Sequence, residues 1–378
     1  MKYFIIAGEA SGDLHGSNLM KALKQQDPEA DFMFLGGDLM QSQGGALIRH
    51  YRDMAFMGAI DVLKNLGKIG KSFQLAREKL LEYNPDVLIL IDYPGFNLKM
   101  AEFARKEGIR VFYYILPKVW AWKEWRVKKL KRYVDELFSI LPFEEEFFSR
   151  HGLNVRYVGN PLPDAIDPSG AETVSRAEFL RSNGLPDKPL VALLPGSRAQ
   201  EIRAMLPVMS RMASEFPEFA FLISGTRASD SDLYRKYSAD NSLPVLFDQT
   251  YEMLRHAHAA LVTSGTATLE TALIGTPQIV LYKMAGGRIG YAIFKRLFLR
   301  VKYVSLPNLI LDREAVREFV MHEMTEEKVR PETELLLKDQ AYRNKILESY
   351  ARLRDRMGEK GVSERTAATI FAKIRRSE

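Results

Sequence analysis

The sequence has no cysteine. Disulfide staples and thiolate chemistry are excluded, and the composition fits a reducing compartment. No apolar run approaches the ~20 residues that a membrane-spanning helix needs. The opening MKYFIIAGEASGD has a short apolar run, but an acidic loop follows it in place of a small-residue cleavage site. It reads as a buried strand and not as a signal peptide, so a cytoplasmic protein is expected. Two nucleotide signatures are missing as well. The glycines at 8, 12 and 16 lack the G-x-G-x-x-G spacing, and no Lys-Ser/Thr pair completes a P-loop.

What is there describes a globular α/β protein. At 378 residues, 46% hydrophobic and 27% charged, the chain has the apolar content for two cores and exceeds what one core usually serves. The net charge of +6 favours anionic partners. Two segments, 123–132 (KEWRVKKLKR) and 295–302 (KRLFLRVK), mix cations with Trp, Leu, Phe and Val. They suit an anionic membrane surface or a nucleic acid, and equally two amphipathic helices with solvated basic faces.

The most instructive stretch is 259–277, AALVTSGTATLETALIGTP. Its spacing predicts a short strand, a turn at Ser264-Gly265-Thr266 and a helix closed by Gly275 and Pro277. A helix starting just past a parallel strand turns its free N–H groups to the crevice above the sheet, which suits phosphate. Glu270, one turn in, is placed to accept from ribose hydroxyls, or else it is a solvated helix residue. Arg198, in the Pro195-Gly196-Ser197-Arg198 turn after a strand at 190–194, is placed to neutralise a diphosphate.

The first half has the same grammar. A strand at 2–7 runs into GEASGDLHG, where Glu9, Ser11, Asp13 and His15 crowd one loop mouth, with Asp13 alternatively a helix cap. The run 86–91 (DVLILI) predicts a fully buried parallel strand ending at Asp92, a candidate general base or a turn residue. Further strands are expected at 32–35, 111–115, 134–140 and 156–158, then at 219–223, 244–247, 261–263 and 278–281, with a linker at 163–188. Trp120 and Trp122 read as a sugar-stacking or headgroup pair, or as packing. Val62, Leu63, Leu66 and Ile69 share one helical side with Lys64, Lys68 and Lys71 nearby, the pattern of an acyl or interfacial contact or of plain core. Asn308 is a candidate to read a base or an acceptor sugar. The last helix, with Ala367, Ile370, Phe371 and Ile374 in helical spacing, is expected to bury its apolar face on the first domain.

Taken together, GEASGD at 8–13, IDYPGFN at 91–97, VWAW at 119–122, LPFE at 141–144, GNP at 159–161, LLPGSR at 193–198, SGTATLE at 264–270 and VSLPN at 304–308 resemble the signature blocks of the lipid-A-disaccharide synthase family, in order and over nearly the whole chain. The resemblance implies a GT-B glycosyltransferase with two Rossmann-like doubly wound domains facing across a cleft. Residues 1–165, completed by 355–378, would bind the acceptor, and residues 166–354 the UDP-sugar donor. The implied reaction transfers 2,3-diacylglucosamine from UDP to 2,3-diacylglucosamine 1-phosphate, in a protein attached peripherally to the cytoplasmic face of a Gram-negative inner membrane. By motif, Asp92 or Glu9 falls on the general base. Ser11, Asp13, Asn97, Trp120, Trp122 and Asn160 fall on the substrate side, and Arg198, Ser264, Gly265, Thr266, Glu270 and Asn308 on the UDP side. No metal, cofactor or nucleic acid is implied, and a second copy of the chain is a candidate partner. Gly95 departs from the acidic residue that many members carry, and Lys118 is another variable position. The rival readings are an epimerase or peptidoglycan-intermediate transferase on the same fold, or a surface-binding protein without chemistry.

Overall fold

The computed structural model describes residues 1–54, 66–120, 124–166, 174–226, 231–240, 242–283 and 302–375. The chain divides into two compact units. Unit 1 is Met1–Pro161 with Glu359–Glu378, and unit 2 is Leu162–Gly358.

Unit 1 holds a seven-stranded parallel sheet: β1 (Lys2–Ala7), β2 (Asp31–Gly36), β3 (Ala46–His50), β4 (Val87–Ile91), β5 (Val111–Tyr114), β6 (Glu136–Ser139) and β7 (Arg156–Tyr157). Their spatial order is β3-β2-β1-β4-β5-β6-β7. The central strands β1, β4 and β5 are apolar from Tyr3, Val87 and Val111 onward because both faces are covered. Phe4, Ile6, Leu88, Leu90 and Tyr113 enter one core with residues of the helices Leu66–Tyr83 and Pro94–Lys106. Tyr3, Ile5, Val87, Ile89 and Tyr114 enter the opposite core. That alternation is the period-two projection of a strand, used twice.

The second of those cores is closed by the helices Ala10–Gln26 and Val362–Arg375, which pack on each other. Val362, Ala367, Ile370 and Ile374 are buried there, as their helical spacing predicts. Arg110 donates to Ile374 O at 3.0 Å, which ties the helix to the sheet. β3 escaped the sequence reading because it is a partly exposed edge strand carrying Arg49 and His50.

Unit 2 repeats the plan with β8 (Leu190–Leu194), β9 (Ala220–Gly225), β10 (Val245–Phe247), β11 (Ala257–Thr263), β12 (Gln278–Tyr282) and β13 (Glu318–Val320), in the order β10-β9-β8-β11-β12-β13. The stretch expected to be a linker contains helices Leu162–Ile166 and Arg176–Ser182, and Phe179 and Leu180 of the latter join the unit 2 core. The helix after β11 is Thr266–Ile274, and it ends at Gly275 in the left-handed region (φ 103°), which glycine adopts without strain.

One expected site residue is structural. Asp13 is 3% exposed, and its carboxylate accepts from the N–H groups of Gly37 (2.8 Å), Met40 (3.0 Å) and Leu39 (3.1 Å). It caps the helix Asp38–Ser42 that follows β2 and not its own helix. Gly37 permits the approach: a Cβ there would lie 2.6 Å from Asp13 Oδ2 and 2.4 Å from the Tyr51 ring. Asp13→Ala, which strands three helix-start donors, is expected to lower the unfolding free energy by roughly 2–4 kcal/mol. Denaturant unfolding monitored by far-UV dichroism measures it.

Candidate active site

In both sheets the strands are laid outward in two directions from a central pair. β1 and β4 are that pair in unit 1, with Ala7 opposite Ile91, and β8 and β11 in unit 2, with Leu194 opposite Val262. At such a reversal the loops leaving the two strands part and open a crevice. Gly8–Ser11 and Asp92 leave the first pair. Residues 195–198 and 264–266 leave the second.

At the unit 1 crevice, Asp92 (φ 43°) and Tyr93 (φ 47°) are consecutive non-glycine residues in the left-handed region, and Ile115 at the end of β5 is a third (φ 63°). Each costs of order 1–3 kcal/mol and persists only where its surroundings impose it. Those surroundings are visible. Asp92 O accepts from Tyr113 Oη at 2.6 Å and Asn97 Nδ2 at 2.8 Å, while Asp92 N donates toward Ile115 O at 3.2 Å. Tyr93 Oη donates to Met54 O at 2.7 Å, and its ring lies where a Cβ on Gly8 would come within 2.3 Å. Burial pushes the Asp92 carboxyl above the usual carboxylate range, opposed by the charge of Lys118 and the Tyr93 N–H. Beside it, Gly95 is exposed, and a Cβ there would meet no atom within 4 Å.

Glu9 caps the helix Ala10–Gln26 in position, and after burial its charge is the second influence raising the Tyr93 hydroxyl, so the two loops of the crevice meet electrostatically. Ser11 is exposed in the first turn. One turn on, burial pulls the His15 imidazole down to about 4, leaving it neutral at physiological pH.

Two asparagines expected on the substrate side are committed to backbone. Asn97 is fully buried with its amide on Ile91 O and Asp92 O, and Asn160, 2% exposed, donates to Ile140 O at 2.9 Å. Through these bonds Asn97 holds Asp92. Trp120 is half-buried, and its indole donates to Glu144 Oε1 at 2.9 Å. Glu144, which sequence reasoning did not single out beyond its LPFE block, is 1% exposed and pushed up to about 7 by burial. Trp122, Val62 and Leu63 lie outside the described residues, as does the side chain of Leu66. Ile69 is half-exposed in the first turn of Leu66–Tyr83, with Lys68 and Lys71 exposed nearby.

At the unit 2 crevice, Glu201 reaches back to the backbone N–H groups of Ser197 (3.1 Å) and Arg198 (3.2 Å) and pairs with the Arg198 guanidinium at 3.2 Å. Arg198 is thereby held, exposed, at the start of the helix Ala199–Glu215. Tyr282, at the end of β12, is raised by burial and by Glu201 and lowered by Arg198, so the β8 loop borders the β12 end.

Ser264 N donates to Leu281 O at 3.0 Å and its hydroxyl to Val304 O at 2.7 Å. Gly265 takes φ 154° and ψ −160°, a conformation reserved almost wholly for glycine. Thr266 is exposed at the helix start, whose first N–H groups have no intrahelical acceptor. Glu270, half-buried and raised by burial, accepts from Tyr251 Oη at 2.7 Å.

Asn308 is bonded within the protein. It is fully buried, donating to Val316 O and Glu318 Oε1 (both 2.8 Å) and accepting from Ala315 N (2.7 Å) and Val316 N (3.0 Å). Glu318, on the unforeseen strand β13, also accepts from the N–H groups of Val304 and Ser305, both at 2.9 Å. The Asn308–Glu318 clamp therefore fixes the Val304 carbonyl on which Ser264 rests. Among the described residues no group of three or more His, Asp or Glu converges as a metal site would require, and no helix is long and apolar enough to cross a membrane.

The family model described as "Lipid-A-disaccharide synthetase" matches residues 3–372. The chain is 35% identical over 384 residues to a lipid-A-disaccharide synthase of Trichlorobacter lovleyi, covering 100% of this chain and 98% of that one. It is 37% identical over 382 residues to that of Syntrophus aciditrophicus, covering 99% and 98%. Among solved structures it is similar in fold to MnaA of S. aureus in complex with UDP, with a TM-score of 0.72 at 12% identity over 99% of this chain and 97% of that one. That likeness is of the fold alone, a GT-B-like pair of α/β domains. A match across almost the entire length, together with relatives above 30% identity, leads to one conclusion: the chain belongs to the lipid-A-disaccharide synthase family.

Proposed function

We propose that unit 1 activates the acceptor through Asp92 and that unit 2 holds the UDP of the donor through Arg198 and the Ser264–Gly265–Thr266 turn. The reaction is hexosyl transfer from UDP-2,3-diacylglucosamine to 2,3-diacylglucosamine 1-phosphate. The acceptor 6-hydroxyl oxygen attacks C1 of the donor sugar, the bond from C1 to the diphosphate breaks, and the hydroxyl proton passes to a carboxylate. The products are the β(1→6) disaccharide 1-phosphate and UDP, with inversion at C1.

The observation that carries the base assignment is the strained, clamped Asp92 at the reversal of the unit 1 sheet, with its carboxyl raised by burial. A raised carboxyl takes a proton more readily than an ordinary one, as a general base must. Glu9 is the second candidate in the same crevice. On the donor side, the Arg198 guanidinium and the helix-start N–H groups supply positive charge for a departing diphosphate, and Glu270, oriented by Tyr251, suits ribose hydroxyls. Asn308 and Glu318 support this site through Ser264.

Acyl chains confine both substrates to a bilayer, and peripheral attachment to the cytoplasmic face of the inner membrane is part of the proposal. What supports it is Trp125, an exposed large apolar residue, beside exposed Lys128, Lys131 and Arg132. The basic stretch 295–301 lies outside the described residues.

Asp92→Asn is expected to lower kcat by roughly 10²–10⁴ while leaving UDP affinity, read by calorimetry, unchanged. In the wild type kcat/KM should rise with pH through the raised Asp92 titration, a limb absent from the residual activity of the Asn variant; undiminished turnover would remove the base assignment. Arg198→Ala is expected to weaken UDP about tenfold or more. Trp125→Ala should reduce co-sedimentation with vesicles containing anionic phospholipid, and high salt should release the remainder.

A further inference from the structure

We infer that unit 2 carries a second anion site, a recess between the loop 312–317 and the helix Gln340–Met357 that takes a phosphomonoester group. It is additional to the donor and acceptor sites proposed above.

The recess has a volume of about 310 Å³, at the small end of the ~300–1,000 Å³ common for ligand pockets. Four cationic side chains line it, Arg313, Arg317, Lys345 and Arg352, against two carboxylates, Glu314 and Glu348. Arg317 and Glu314 pair with each other at 3.2 Å. Tyr342, also on the wall, spends its hydroxyl on Glu332. The remaining charges leave a surplus of two positive, which matches a phosphomonoester of charge about −2 at neutral pH.

The three remaining cations meet around Ser349. Lys345 stands four residues before it and Arg352 three after, so both are its neighbours on one helix face. Arg313 comes from the facing loop and donates to Ser349 Oγ at 3.0 Å, while the Ser349 hydroxyl gives its own hydrogen to Lys345 O at 2.9 Å. That bond occupies one of the five guanidinium N–H donors of Arg313. The Lys345 ammonium, the Arg352 guanidinium and the Glu348 carboxylate have no hydrogen-bond or ion-pair partner among the described residues. The preceding helix, Glu326–Lys338, pairs every one of its cations: Lys328 with Glu323, Arg330 with Glu215 and Lys338 with Glu218. Like charges at helical-neighbour spacing repel, and a bound dianion turns that repulsion into attraction.

The loop is held in shape. Asp312 turns the chain in the left-handed region (φ 51°), and Arg313 N donates to Asn308 O at 3.2 Å. Beyond it, Ala315 N and Val316 N are fixed by the Asn308 side chain. A site shaped before its ligand arrives spares the cost of ordering it. The loop enters β13 at its N-terminal end, whereas 195–198 and 264–266 leave β8 and β11 at their C-terminal ends, so this recess is not the donor crevice.

Calorimetry on the full chain, with UDP saturating the donor side, is expected to show inorganic phosphate still binding. Lys345→Gln/Arg352→Gln should weaken that binding about tenfold or more. Both positions are exposed, and circular dichroism checks the fold. Should the double variant misfold, Lys345→Gln alone is read, with a loss of about threefold or more expected. Two sources could supply the group. Glycerol 3-phosphate binding with the same dependence on Lys345 and Arg352 marks a soluble ester, and vesicles carrying phosphatidic acid binding in its place mark a lipid headgroup. Equal phosphate affinity in wild type and variant, or no phosphate bound once UDP is saturating, overturns the inference.

Discussion

A parallel strand must be followed by a crossover, and a sheet extended first to one side of its opening strand and then to the other parts two neighbouring loops. Both units obey that constraint, at β1/β4 and at β8/β11. The residues assigned to chemistry all leave these strand ends or lie within a turn of them. Nothing in the crevice depends on an unusual side chain; it depends on where the chain turns away. The exceptional backbone geometry of Asp92, Tyr93 and Gly265 is found at the exits themselves, where the next stretch of chain must leave steeply.

Around these exits the labour is divided between groups that are open to solvent and groups that hold them. Asp92, Ser11, Thr266 and Arg198 are open to solvent in part or in full. Asp13, Asn97, Asn160, Asn308 and Glu318 spend their hydrogen bonds on backbone or on one another. A substitution in the second group would act on the loops that those bonds hold. A loss of function there is a statement about loop geometry.

The strands were legible because they are buried on both faces and read as continuous apolar runs, as 86–91 and 190–194 show. The reversal was legible only as a repeat of strand, turn and helix, since periodicity does not say which strands pair. β3 and β13 were missed because edge strands carry polar residues and are short. The backbone bonds of the asparagines were hidden for a different reason. A loop at a sheet's edge needs amides to satisfy its own carbonyls and amides to meet a ligand, and one sequence position offers no sign of which it serves. Glu144 was hidden likewise: an acidic residue after LPF looks like a helix start, and only the Ser139 and Trp120 contacts reveal a sealed carboxyl. The position of Asp92, by contrast, was readable, because the apolar run before it marks where the strand ends.

The helix Val362–Arg375 belongs to unit 1, although all of unit 2 lies between it and the rest of that unit. During synthesis, at ~5–20 residues per second, β1 to β7 emerge early while one face of their sheet still lacks Val362, Ala367, Ile370 and Ile374. Unit 2, whose residues are contiguous, can reach its native state before the half that was translated first. The nascent protein therefore carries an open greasy surface for as long as the ribosome takes to read unit 2, and that interval is when a chaperone has something to hold.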